Sequence, residues 1–202
     1  MEHKQMMTQS DYPTLYRDCE TTKDQKSLAQ LERVCKAVLA NTTPYQVVQK
    51  GSGVPWLVVA CIHFRESDQN FRCHLHNGDP LTARTVRFPP GRPEKGEAPF
   101  EWHDSAIDAF INLWRPKSWS LPGALEFMER YNGLGYRKHG VKTPYLWDFT
   151  NQYSGGLFVA DGSLDMTKRE NRPGIVAILK TLESKGVDLG LPDDLPARDD
   201  LH

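Results

Sequence analysis

The chain has 202 residues, of which 39% are apolar and 25% charged, a balance that suits one folded domain with or without a small accessory lobe. Its 25 Lys and Arg against 26 Asp and Glu leave a net charge of -1, which argues against a dedicated nucleic-acid binder. No apolar run approaches the roughly 20 residues of a membrane-spanning helix, so no membrane insertion is expected.

Residues 1–22 are polar and aperiodic and read as a loose N-terminal arm. They contain no apolar stretch resembling a signal peptide, so synthesis is expected in the cytoplasm, with any release by another route. From Ser27 the spacing predicts a helix with Leu28, Leu31, Val34, Cys35, Val38 and Leu39 on one face, ended by Asn41-Thr42-Thr43-Pro44. The segment VPWLVVACIHFRE, from Val54 to Glu66, predicts a central helix with Pro55 in its first turn. Between Arg72 and Glu97 the turn signal His76-Asn77-Gly78-Asp79-Pro80, the alternating LTARTVRF and Pro89-Pro90-Gly91-Arg92-Pro93 predict a small β-hairpin lobe. Asp104 is the expected cap of a helix SAIDAFINLW with Ala106, Ile107, Phe110, Ile111 and Trp114 as its apolar stripe. Ser120 is the expected cap of LPGALEFMERY, closed by Asn132-Gly133. A loop rich in glycine and aromatics follows from Gly135 to Asp165, then a last helix from about Arg172 to Lys185 with Ile175, Val176, Ile178, Leu179 and Leu182 inward. The fold class is α+β, mainly helical, with five helices around a small β-hairpin lobe. The arm is residues 1–22, the folded domain 23–190, and the tail 191–202 is expected to be mobile.

Four cysteines, Cys19, Cys35, Cys61 and Cys73, contain no CxxC pair and are expected to be reduced, mostly buried thiols. Glu66 ends an apolar helix that holds no other acid, so burial there favours the protonated carboxyl, a proton donor near neutral pH. The alternatives are a solvated helix end or an ion pair with Arg65. Asp79 is the best-placed second carboxylate for two-acid glycoside chemistry, although Asn-Gly-Asp-Pro is also ordinary turn chemistry. Asp68 is the weaker alternative. Cys73, His74 and His76 invite a metal reading, but no second ligand pair completes it. No metal or other cofactor is expected, and the two histidines read instead as polar groups lining a groove. Tyr145, Trp147, Phe149, Tyr153 and Phe158, interleaved with Thr150, Asn151 and Gln152, suit the apolar faces and hydroxyl edges of sugars. Asp161-Gly162 to Asp165 resembles a fragment of a calcium loop and reads as a turn. Arg84, Arg87, Arg92 and Lys95 form a basic cluster that an anionic polymer would meet.

The blocks CIHFRES, HLHNGDPLTARTV, FPPGRP, PFEWHDSAIDA and TPYLWDFTNQYSGGLFVADG together resemble a family of bacterial and prophage lysozyme-like proteins, over residues 54 to 182. The resemblance implies a lysozyme-like fold that cuts the β-1,4 bond between N-acetylmuramic acid and N-acetylglucosamine in peptidoglycan. Glu66 then matches the catalytic acid. Asp79 and Thr82 sit where phage-type members carry a second acid and a hydroxyl. His76, Tyr145, Trp147, Asn151 and Tyr153 are the further expected substrate-binding residues. Both a hydrolase and a lytic transglycosylase forming 1,6-anhydromuramic ends stay open. So do a non-catalytic glycan-binding module and a metal-dependent hydrolase. The implied partner is the peptidoglycan glycan strand, reached in the periplasm or cell wall, with an immunity protein or a pore-forming lysis protein as possible company.

Overall fold

The computed structural model describes residues 8–160 and 162–192. Among these the chain forms α1 (Tyr12–Arg17), α2 (Gln25–Ala40), α3 (Thr42–Ser52), α4 (Trp56–Ser67), α5 (Trp102–Ala109), α6 (Leu121–Asn132), α7 (Gly135–Lys138), α8 (Pro144–Trp147), β1 (Leu157–Ala160), β2 (Ser163–Asp165) and α9 (Ile175–Ser184). It is a mainly helical α+β protein with one two-stranded antiparallel sheet among the described residues. Two compact units divide it: residues up to Arg33 with those from Arg115 onward, and Val34–Trp114. No single described helix is long and apolar enough to cross a membrane.

The second unit is built on α4. Every residue from Leu57 to Arg65 is buried, as expected of a helix that is apolar on all sides. α2 stops at Ala40, at the predicted Asn41–Pro44 break, but the same residues also start α3. Pro44 lies in the first turn, where its missing N–H has no helical acceptor, and Tyr45 and Val48 turn inward. α3 and α4 then bend by 110° at the break between them. Of the predicted α2 face, Leu31, Val34, Cys35 and Val38 are buried, but Leu39 is 41% exposed. His63 sits in an aromatic box, with ring centroids at 4.5 Å to Trp102, 4.7 Å to Phe71 and 5.8 Å to Tyr45.

Two expectations for this unit need correction. The hairpin of residues 72–97 has no strands; its ladder is a single bridge, Cys73 with Pro80. Pro80, Pro89, Pro90 and Pro93 have no N–H to donate, so the segment is held by turns and side chains instead. α5 begins at Trp102, with Glu101 as its N-cap and Asp104 inside the first turn. It ends at Ala109, and Asn112 then takes a left-handed conformation (φ 60). The predicted stripe therefore breaks: Ala106 and Phe110 are buried, whereas Ile111 and Trp114 are exposed.

In the first unit, the described part of the expected loose arm is packed. Tyr12 and Tyr16 of α1 are buried. The Tyr12 ring stacks on Trp147 at 6.4 Å, and its hydroxyl donates to Glu129. Thr22 N–H donates to Phe149 O (2.8 Å) and Asn151 N–H to Glu20 O (3.0 Å), so residues 20–22 run antiparallel to 149–151. Residues 1–7 lie outside the described chain, as do residues 193–202 of the expected tail; Leu191 is buried and Pro192 O accepts from Leu121 N–H. α6 starts after Ser120 and stops before Gly133, as expected, although Ser120 makes no side-chain cap bond.

The loop expected from Gly135 to Asp165 contains two short helices and the sheet. Thr143 caps α8 by accepting the Tyr145 N–H. β1 and β2 pair Leu157 with Asp165 and Phe158 with Leu164, and Gly162 turns between them at φ 70. The calcium-like fragment falls here; Asp161 is outside the described residues, and Asp165 Oδ1 accepts the Thr167 N–H at 2.8 Å, a turn bond. α9 buries all five residues predicted to face inward. A Cβ on Gly174, just ahead of α9, would stand 2.5 Å from both Leu146 O and Asp148 N, so only glycine lets α9 meet α8 so closely.

Candidate active site

Glu66 is half-buried in the last turn of α4. The helix stops there because Asp68 and Gln69 both adopt left-handed conformations, at φ 53 and 62, and their N–H groups return to Phe64 O and His63 O. Asp68 is exposed beyond the helix end. Gly78 lies directly against Glu66: a Cβ there would be 3.0 Å from Glu66 O, and its φ is 75. Glycine is required on both counts. It brings the Asn77–Asp79 turn onto the end of α4, so the two predicted carboxylate residues are neighbours within the second unit.

Asp79 is 4% exposed, and donors of its own loop occupy its carboxylate. Oδ2 accepts the N–H of Val86 (2.9 Å) and Arg87 (3.0 Å) and the Asn77 amide (3.1 Å); Oδ1 accepts Arg87 Nε at 2.5 Å. Burial alone would raise its pKa, but the Arg87 and Val86 backbone N–H groups and the Arg87 guanidinium outweigh it and hold the carboxyl at about 2. Asp79 thus shapes the 83–92 loop. Thr82, the expected hydroxyl, is exposed.

These environments set a pH dependence. Burial lowers the His63 pKa to about 4. The unfolded chain therefore takes up this proton first, and stability falls as pH drops from about 6.5 to about 4. Asp79 adds stability that is complete above about 3.9 and is lost as pH falls to about 2. Urea unfolding against pH is expected to decline through both windows. The upper one is worth on the order of 3 kcal/mol at about 1.4 kcal/mol per pKa unit. His63→Phe should flatten most of the upper window and Asp79→Asn the lower. A wild-type midpoint constant from pH 6.5 to 4 would remove this account of His63.

The His74 and His76 rings meet edge to face with centroids 5.8 Å apart. His74 is fully buried: its Nε2–H donates to Ala83 O (2.8 Å), so Nδ1 accepts the Ser105 hydroxyl (2.6 Å). Ser105 is equally buried, so this serine–histidine pair has no access to substrate. The side chain of His76, expected at substrate, is 3% exposed and bonds Asp108 at 2.9 Å. Burial lowers its pKa despite Asp108. Asp108, which the sequence did not single out, also accepts Arg92 Nε (2.9 Å) and ties α5 to the loop. Among the described residues, no group of three or more His, Cys, Asp or Glu is placed to hold a metal ion. None of the four cysteines is in a disulfide, and Cys73 alone is partly exposed.

The aromatic candidates lie in the first unit, and burial changes their roles. Trp147 is 0% exposed, Tyr145 3% and Tyr153 4%, so Trp147 and Tyr145 are core residues rather than a sugar platform. The Tyr153 hydroxyl donates to Gly156 O. Asn151 is exposed, but its side chain accepts Glu20 N–H and donates to Asp18 O, pinning the N-terminal segment. Asn151 and Tyr153 border a polar groove of about 510 Å³ with Lys23, Phe149 and Arg169. A second cluster had no sequence signal: Glu126 and Glu129 of α6, both buried, meet Arg137 and Tyr12. Helical spacing cannot tell which acids of LEFMERY face inward. Compared with protein-family models, curated proteins and solved structures, the chain matches none of them.

Proposed function

We propose that this chain cleaves the glycan strand of peptidoglycan between N-acetylmuramic acid and N-acetylglucosamine, on a lysozyme-like fold, with Glu66 as general acid. The carrying observation is the placement of Glu66, a half-buried acid closing a buried helix, whose main-chain oxygen packs against Gly78 of the Asn77–Asp79 turn. The sequence resemblance supports the same role. A carboxyl in that position donates its proton to the leaving glycosidic oxygen as the C1–O bond breaks. No step needs a metal or cofactor. The chain would act on the cell wall after release or export, where a pore-forming lysis protein or an immunity protein would be its protein partner.

The saturation of Asp79 favours the lytic transglycosylase route over direct hydrolysis. In that route Glu66, having given its proton to the leaving oxygen, takes one from the muramic 6-hydroxyl. That oxygen bonds to C1 and closes a 1,6-anhydro ring, and no second carboxylate is used. Hydrolysis would instead add one water and need a base or nucleophile. Digestion of purified peptidoglycan with products resolved by mass spectrometry tests both. Anhydro ends support the single-acid route, and reducing muramic acid ends support hydrolysis. Absence of cleavage from both intact and peptide-stripped wall would leave a non-catalytic glycan-binding module.

A further inference from the structure

The loop that Asp79 organises presents two apolar side chains to solvent, Phe88 at 89% exposure and Val86 at 80%. Single exposed apolar residues are common, but this pair sits on backbone held from both sides. Asn77 Nδ2 donates to Arg87 O (3.0 Å), the Asp79 carboxylate takes the Val86 and Arg87 N–H groups, and the Thr85 hydroxyl donates to Pro89 O (2.6 Å). Thr85 N–H donates to Arg92 O at 2.8 Å, closing the loop at its base. An exposed ring on a prefixed backbone loses little freedom when it meets a ligand.

The position of the loop is also informative. It stands on the turn that abuts Glu66, and Arg87 Nη2 lies 4.0 Å from where a Gly78 Cβ would be. Arg92 is engaged by Asp108 and Arg84 donates to Gly96 O; Arg87 pairs through Nε with Asp79 at 2.5 Å, yet its side chain keeps 65% of its surface exposed. The tip thus pairs an aromatic face with an exposed cation, which suits a polymer with apolar sugar faces and carboxylates.

We propose that Val86, Arg87 and Phe88 form the platform on which the glycan strand lies beside Glu66, with the Phe88 ring stacked on a sugar and Arg87 facing stem-peptide carboxylates. This assignment rests on the reading of Glu66 above and names a binding subsite of that site. The test is co-sedimentation of the full chain with purified peptidoglycan sacculi in a Glu66→Gln background, which keeps the polymer intact. Phe88→Ala is expected to weaken binding about tenfold, the upper end of what one aromatic contact contributes. Phe88→Trp is expected to retain binding, and thermal unfolding should stay unchanged in both because Phe88 is 89% exposed. Equal binding by Phe88→Ala overturns the platform. If wild type also cleaves sacculi with a KM that Phe88→Ala does not raise, the platform fails while Glu66 stands. If wild type does not cleave but binding still depends on Phe88, Glu66 fails as acid and the platform stands. Phe88-dependent binding to anionic phospholipid vesicles but not to sacculi would overturn the platform in favour of a membrane surface.

Discussion

Glu66→Gln is expected to reduce muropeptide release by a factor of about 10²–10⁴, the range that positioned general acids contribute. Glutamine keeps the shape and the hydrogen-bonding reach of the side chain but has no proton to give at neutral pH. Because Glu66 is only half-buried at a helix end, the fold should tolerate the change, with stability within about 1 kcal/mol of wild type. Binding to sacculi should persist, so the loss would fall on the chemical step rather than on KM. Asp79→Asn gives the contrast. It is expected to lower stability through the loop it clamps, and to spare the chemistry if the single-acid route holds. Equal cleavage by wild type and Glu66→Gln would sink the assignment.

Arg137→Met is expected to destabilise the first unit by about 3–5 kcal/mol, the cost of leaving a buried charge without its partner. Arg137 donates through Nη2 to Glu126 Oε2 and Glu129 Oε2, each at 2.6 Å, and through Nε to Glu129 at 3.0 Å. Glu129 is 0% and Glu126 3% exposed. Arg130 also pairs with Glu126, at 2.6 Å, so Arg137 is the guanidinium that bonds both buried acids. Burial opposes the Arg137 charge, yet the Glu129 and Glu126 hydrogen bonds outweigh it and keep the guanidinium protonated. Burial and Glu129 push the Tyr12 hydroxyl up, so it stays a donor. Methionine preserves much of the volume, which isolates the charge from packing. Adding Glu129→Gln to Arg137→Met should recover part of the loss, a coupling readable by urea unfolding. Tyr12 would lose one anchor, so protease cleavage between α1 and α2 should rise with the destabilisation. A loss below about 1 kcal/mol would mean that this cluster behaves like an exposed ion pair.

The elements legible in the sequence were those whose signal is local. The apolar run of α4, the five inward residues of α9, and Ser120 and Gly133 around α6 follow from hydrophobic spacing and from the dihedral limits of single residues. The turn at Gly78 was legible for the same reason. α3 was not, because Pro44 stops one helix and starts another with equal ease and only Tyr45 and Val48 mark its buried side. The strands expected across LTARTVRF failed because alternation is necessary for a ladder but donors are too, and four prolines around it supply none.

The candidate site divides along the same line. Glu66 was recognisable as an acid ending an apolar helix, whereas the use of each neighbouring polar group depended on distant partners. Tyr12 and Glu129 are 117 positions apart, and His76 and Asp108 are 32 apart. Aromatic content around Tyr145 and Trp147 suited either a sugar surface or a core, and burial decided for the core. Phe88 went unremarked because solvent exposure is a property of the packed chain and not of the residue. Sequence by itself determined the longer helices whose apolar residues repeat along the chain, and which backbone turns are allowed, since those depend on neighbours along the chain. Tertiary structure alone decided which carboxylates are paired, which aromatics are buried and which ring faces water, since those depend on partners that only folding brings together.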